Sequence, residues 1–336
     1  MSRAKNREFR IFAHRGDMAH GPENTLPALN AAVAGGAGGV EIDLRMTKDQ
    51  VPVVFHDASA LRVTLGLPQK QVGQRICELS AEEVAQIRLP FGGHLLRRFP
   101  PEGYLLEQEY YYPWDLGQEA EIRREASAVY ARVERETTGL SADERELYAA
   151  KILRDVFGAR YQRAVQEDGR TAEILEFDGF CKWLSWQPED FWAELEYKQG
   201  GMMEQIFAVL ERNQVAERCI LFSGDMAYLE EIQRFVRKNG MPKGLKLGAN
   251  LRRLDERAKA FCGDHVLYEV GLNAGAFGRE EVNFLRDQGI LTYSNLGDTP
   301  SWWQRLRESG AAGCKTNCLA ALRRWQTRQA EVRCAG

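Results

Sequence analysis

Long hydrophobic runs are missing from this chain of 336 residues. No apolar stretch approaches the roughly 20 residues that a bilayer-spanning helix needs, so stable membrane anchoring is not expected. An excess of basic charge is missing as well. The net charge of −3 leaves no general basic surface of the kind that attracts nucleic acid or anionic lipid, and neither is an expected partner. The opening residues Ser2 to Arg10 are basic, but no apolar core follows them, so no secretory signal is expected. Cysteine is sparse and scattered, at positions 77, 181, 219, 262, 314, 318 and 334. Only Cys314 and Cys318 are close, and no histidine follows them at zinc-site spacing. The expected state is reduced thiols in a cytoplasmic protein.

What remains is an ordinary globular composition, 44% apolar and 28% charged. The length suits one α/β barrel of about 250 residues carrying an insertion, or two ordinary domains. Apolar runs of strand length alternate with helical patterns. Phe9–Ala13, Val40–Leu44 and Val51–Phe55 read as strands, with a helix over Thr25–Ala34. Ser80 and Glu83 form a capping-box pattern that opens a helix running to about Leu89. Further strands are expected at Phe191–Tyr197, Cys219–Ser223, Leu245–Asn250, Val266–Val270, Ile290–Ser294 and around Cys314, with helices between them. Strand and helix repeated about eight times predict a closed TIM-type (β/α)₈ barrel, with an open doubly wound sheet as the alternative.

The stretch from about 92 to 170 breaks that rhythm. An aromatic patch, Tyr104 to Trp114, precedes two charged helical segments at about Gln118–Thr137 and Ala142–Gln166, the second capped by Ser141 and Glu144. The expectation is a single barrel domain over 1–336, with 92–170 inserted as a helical hairpin before the fourth barrel strand. It would serve as packing element, oligomer contact or lid over the site.

Polar residues at strand ends suggest where chemistry sits. His14 follows the first strand, where a barrel places active-site groups. Glu41 and Asp43 are two apart on a strand, so both carboxylates point to one face, and Glu196 with Lys198 repeats the spacing. Converging buried carboxylates are costly unless a cation neutralises them, and a hard divalent ion with oxygen ligands does so. Too few residues separate Asp43 from Val51 for a helical crossover. A turn near Lys48 and Asp49 would therefore fold the chain back and bring His56 beside Glu41. Two imidazoles flanking such a site can move protons to and from the oxygens of a phosphodiester.

The run from Ala13 to Thr25, containing His14-Arg15-Gly16 and Pro22-Glu23-Asn24-Thr25, resembles the signature of the glycerophosphodiester phosphodiesterase family. The resemblance continues through Glu41 and Asp43, Thr47 to Asp49, Val53 to Asp57, Leu61-Arg62, and the Glu196 to Lys198 strand. It is strong over 9–90 and looser over 173–320. It implies a TIM barrel of the phospholipase-C-like superfamily that hydrolyses small phosphodiesters to an alcohol and a phosphomonoester. His14 and His56 would be the catalytic pair, Glu41, Asp43 and Glu196 the ligands of Ca²⁺ or Mg²⁺, and Arg15 and Lys198 the phosphate contacts. Glu23 and Asn24 would support the site, Glu23 by holding Arg15.

Two departures concern the substrate. Thr292 to Asn295 stands where the family usually carries Trp-Thr-Val-Asn, and Lys315 to Cys318 where it carries Thr-Asp and a proline. Glycerol diesters are the default substrate, and a sugar phosphodiester of the agrocinopine type is the alternative. The same residues also suit a lyase that stops at a cyclic phosphate or a transferase, and a non-catalytic phosphate-ester binder is a reading from another class. His20 is read as a solvated loop residue or a site-lining one, and His94 and His265 as packing or solvent-facing. A homo-oligomer is compatible with the sequence.

Overall fold

The computed structural model describes residues 9–64, 67, 69–91 and 119–334. The aromatic patch at 104–114 and His94 lie outside the described residues.

The chain enters through β1 (Arg10–His14) and returns over the helix Leu26–Ala34 into β2 (Gly39–Met46), which pairs with β1 in parallel. It then turns back: β3 (Pro52–Val54) runs antiparallel to β2, with Leu44 opposite Val54 and Met46 opposite Pro52. The expected fold-back near Lys48 and Asp49 is therefore present. Next come β4 (Arg88–Pro90) and β5 (Thr171–Glu173), an antiparallel pair that forms its own two-stranded ribbon. Helices Glu119–Glu136 and Ala142–Asp168 stand between these two strands, close to their expected bounds. A short β6 (Leu175–Glu176) pairs with β3.

The ring then resumes with β7 (Trp192–Tyr197), parallel to β2, followed by β8 (Cys219–Phe222), β9 (Lys246–Leu251), β10 (Glu269–Leu272), β11 (Leu291–Ser294) and β12 (Gly313–Thr316). Because β12 pairs in parallel with β1, eight parallel strands close on themselves. The fold is a TIM barrel. One ordinal changes: β3 leaves the ring, so the strand after the long excursion is the third stave of the barrel and not the fourth.

Three further boundaries differ from the sequence reading. The helix opened by Ser80 has its capping box, but it stops at Ala85 because Arg88–Pro90 is recruited into the ribbon. The strand expected at Val266–Val270 begins at Glu269, and Val266 is 89% exposed. Helix Phe177–Ser185 was not anticipated, since Gly179 in its first turn weakens the helical preference, yet it buries Phe177, Phe180, Trp183 and Leu184.

The main core lies outside the ring. Val40, Ile42 and Leu44 of β2 pack with Leu29 and Ala32 of the first helix, and Leu195 with Ile206 and Leu210 of the helix Met203–Asn213. Each such valine, leucine or isoleucine side chain stabilises by about 1.5–3 kcal/mol. Inside the ring, Phe12, Ile220 and Tyr293 form an apolar floor, with Phe12 edge-on to Tyr293 at 5.5 Å. Strand alternation then sends His14, two residues beyond Phe12, toward the carboxyl end.

Gly39 fixes how closely three staves approach. A Cβ there would lie 2.5 Å from the Trp192 carbonyl oxygen and 2.6 Å from the Phe12 ring. Gly39→Ala should lower unfolding free energy by about 1–3 kcal/mol in urea titration. An unchanged midpoint would show that the ring can spread without cost.

Candidate active site

The site is assembled at the carboxyl ends of β1, β2 and β7. Glu41 is 1% and Asp43 0% exposed, and both share the barrel-interior face with Glu196. Carboxylate oxygens of Glu41, Asp43 and Glu196 lie within 4.8 Å of one another, so the expected convergence of the three acids is present. Burial, and then the charges of Asp43 and Glu196, push the Glu41 carboxyl well above its ordinary range. Burial opposes ionisation of Asp43 too, but Arg15, His56 and Lys198 outweigh it and hold Asp43 below its ordinary range.

Arg15 adopts a left-handed backbone, φ 58°, that costs about 1–3 kcal/mol. In return its amide donates to the Glu41 carbonyl oxygen at 2.8 Å. Its Nη1 donates to Glu23 at 3.0 Å, and its Nε lies 3.1 Å from Asp43 Oδ2. Asn24 is also left-handed, a conformation its short amide tolerates, and its Nδ2 donates to Asp43 Oδ2 at 2.9 Å. Lys198 reaches Glu196 at 2.9 Å and Asp43 Oδ1 at 3.4 Å. Thus Arg15, Glu23, Asn24 and Lys198 all touch the acids or each other.

The two imidazoles are oriented by different partners. His14 Nδ1 lies 2.8 Å from Asn317 Oδ1, while Asn317 Nδ2 donates to Asp298 at 3.0 Å. Asp298 fixes the amide with its oxygen toward His14, so the imidazole hydrogen sits on Nδ1 and Nε2 carries the lone pair, 3.8 Å from Glu41. His56 Nδ1 lies 2.5 Å from Asp57, whose carboxylate is gripped by Arg62 at 2.7 and 3.1 Å. A carboxylate only accepts, so His56 has the same tautomer. Burial and then Arg15 hold the His14 imidazole down at about 3, and burial with Arg15 and Lys198 lowers His56 well below its ordinary value.

Sequence reasoning overlooked a supporting set. Arg62 donates to Glu23 at 2.9 and 2.6 Å as well as to Asp57, and so ties the Pro22–Thr25 turn to the His56 segment. In the sequence, Leu61-Arg62 is part of the family resemblance with no charge partner nearby. Below the acids, Lys315 pairs with Glu194 at 2.8 Å and donates to Asn250 at 3.0 Å. Glu194 sits beside Glu41 in the β2–β7 register, two residues before Glu196, and that spacing could have revealed it. His20 is bonded to Asp17 and its side chain is 63% exposed; His265 bonds the Phe261 carbonyl and Arg237. Cys77, Cys181, Cys219, Cys262 and Cys314 carry free thiols.

The acids fit a divalent cation. Asp43 Oδ1 is buried and accepts no hydrogen bond, and the cluster supplies oxygen donors only. Three converging carboxyl groups beside two imidazoles at a barrel mouth define a TIM-barrel protein with a mouth-centred polar site.

Comparison with known proteins narrows the class. Residues 14–168 match the model of the Glycerophosphoryl diester phosphodiesterase family. Over 92 residues the chain is 42% identical to Glycerophosphodiester phosphodiesterase 1 of Bos taurus, covering 27% of this chain and 26% of that one. A glycerophosphodiester phosphodiesterase of Caldanaerobacter subterraneus is 46% identical over 56 residues, 17% of this chain and 23% of that one. The aligned part thus spans about a quarter of the length of the curated relatives it matches. Among solved structures, the glycerophosphodiester phosphodiesterase of Thermotoga maritima superposes with TM-score 0.55 at 17% identity, covering 95% of this chain and 99% of that one. An Oleispira antarctica phosphodiesterase, solved with the product sn-glycerol-3-phosphate, gives 0.57 at 16%, covering 95% and 96%. Over residues 14–168, just under half of its length, the chain is similar to the glycerophosphoryl diester phosphodiesterase family. No helix among the described residues is long and apolar enough to cross a membrane.

Two outcomes test the supporting charges. Arg62→Met leaves Glu23 and Asp57 buried without their shared cation and should cost about 3–5 kcal/mol in chemical denaturation; a loss below about 1 kcal/mol would refute the bridging role. Burial first, and then Glu194, raises the Glu269 carboxyl well above its ordinary 4.5. A carboxyl raised on folding destabilises progressively as pH climbs from the unfolded value through the folded one. Glu269→Gln should therefore gain thermal stability over the wild type as pH rises from about 4 to 7. A melting-temperature difference that stays flat over that range would contradict the raised value.

Proposed function

We propose that this protein is a metal-dependent phosphodiesterase that hydrolyses glycerophosphodiesters, or closely related small diesters, to an alcohol and a phosphomonoester. The observation that carries the reading is the matched pair of neutral imidazoles, each with Nδ1 committed to a fixed acceptor and Nε2 as its lone pair. The relative solved with sn-glycerol-3-phosphate supports the same class of product.

In the proposed reaction, one imidazole takes the proton of the attacking oxygen on its bare Nε2. The other, having gained a proton on Nε2 once the anionic phosphodiester is bound beside it, delivers that proton to the departing alcohol. Overall one water is consumed: its hydroxyl joins phosphorus, and its second hydrogen leaves on the alcohol. When a neighbouring hydroxyl attacks first, the same pair serves twice, once to form a cyclic phosphate and once to open it with water. Asn317 and Asp57 hold the imidazoles in one tautomer through both transfers. Arg15 and Lys198 present positive charge to the phosphoryl oxygens. Glu41, Asp43 and Glu196 would hold Ca²⁺ or Mg²⁺, which when bound supplies Lewis-acid neutralisation of phosphate charge. Ligation by all three carboxylates would also favour the ionised form of Glu41. We further propose that residues 1–336 form one barrel domain, with 92–170 as an inserted subdomain acting in the cytoplasm.

The reading is tested by assaying glycerophosphodiesters and sugar phosphodiesters with and without EDTA. His14→Ala and His56→Ala should each lower kcat by about 10²–10⁴-fold, and EDTA should abolish turnover until Mg²⁺ or Ca²⁺ is restored. Wild-type rates in either variant would sink the assignment, and a persistent cyclic product would replace hydrolase by lyase.

A further inference from the structure

The helix Ala142–Asp168 meets the barrel beside His56, and Arg45 is the point of contact. Arg45 lies on β2, two residues beyond Asp43, but its side chain is on the path of the β2–β3 fold-back and is 3% exposed. Its Nε donates to the His56 carbonyl oxygen at 2.7 Å. Its two terminal nitrogens grip both oxygens of Asp143, at 3.2 and 3.1 Å. One guanidinium therefore joins the backbone of the catalytic-pair imidazole to the first turn of a distant helix.

The rest of that helix face reinforces the joint. Glu146 approaches the same guanidinium at 3.9 Å, and its carboxylate lies within 4.8 Å of ligand atoms of His56 and Asp57. Leu147 and Ala150 join Val53, Phe55, Ala60, Leu61 and Val63 in one apolar cluster. Arg154 donates to the Thr64 hydroxyl at 3.3 Å and carbonyl at 3.4 Å. The segment from Val53 to Thr64, which carries His56, Asp57 and Arg62, is thus backed by this one helix.

From this arrangement we infer that Arg45 and Asp143 are positioning residues for His56, and that the helix is a fixed brace of the active site. The physical reason is the cost of a buried guanidinium without its carboxylate. With Asp143 lost, Arg45 must turn toward Glu146 or solvent, and the His56 carbonyl loses its anchor. A displacement of an ångström at a proton-transfer group costs about a hundredfold in rate. The bidentate grip also defines the geometry that a lysine, a point charge, cannot reproduce.

The inference rests on His56 acting in the proposed reaction, so the test has two readouts. The first is turnover of glycerophosphocholine and glycerophosphoglycerol by full-length Asp143→Ala, Asp143→Asn, Arg45→Lys and the control Arg145→Ala. The second is the ring-nitrogen NMR signal of His56, assigned among five histidines by its loss in His56→Ala. Asp143→Ala should lower kcat by about tenfold to a hundredfold with KM within about twofold. It should also shift or broaden the His56 signal, with Asp143→Asn milder and Arg145→Ala like the wild type. Wild-type kcat and an unmoved His56 signal in Asp143→Ala would overturn the brace, as would a lowered melting temperature with His56 unmoved. If the wild type turned over no diester, the functional reading would fail, and the NMR signal alone would decide the brace.

Discussion

Burying several carboxylates inside one end of a β-barrel is the constraint to which the surrounding structure answers. Glu41, Asp43 and Glu194 are each at most 1% exposed, and Glu196 stands just beside them. Such charges cannot remain together in a low-dielectric interior without cations or bound protons. Arg15 and Lys198 supply positive charge from above and Lys315 from below. Where the cations fall short, the carboxyl groups are driven toward protonation, as at Glu41 and Glu269. The strained backbone of Arg15 belongs to the same balance, since its amide reaches Glu41 Oε2 at 3.3 Å while its guanidinium reaches Asp43.

The barrel is built to carry this load. Its apolar side chains face outward onto the helices, and a small aromatic floor closes the inside beneath the charged layer. Polar groups concentrate at the carboxyl end, where the loops that follow each strand can be altered without disturbing the ring. The excursion through β3 exploits that freedom: a hairpin outside the ring brings His56 to the mouth without using a stave.

Much of this was legible from the residues. The i, i+2 pairs Glu41/Asp43 and Glu196/Lys198 announce a shared face through strand alternation alone, and the short span between Asp43 and Val51 dictates a fold-back. The repeating strand and helix pattern pointed to the closed ring. What could not be read were contacts between segments far apart in sequence. Nothing local to Arg62 indicates that it serves Glu23 and Asp57 together, nor does Asn317 disclose that its amide faces His14. Glu194 was hidden for the opposite reason, because it lies in a motif whose second glutamate drew the attention. The helix Phe177–Ser185 escaped since tertiary burial of its aromatics overrides the effect of Gly179.

The bond between His14 and Asn317 spans 303 residues and bridges the first and last staves. On the ribosome, the His14 imidazole is made 303 residues before the amide that selects its tautomer. Synthesis therefore delivers a histidine whose tautomer is left to exchange with solvent until the ring shuts. Seam closure and the setting of this imidazole's tautomer are one event in this molecule.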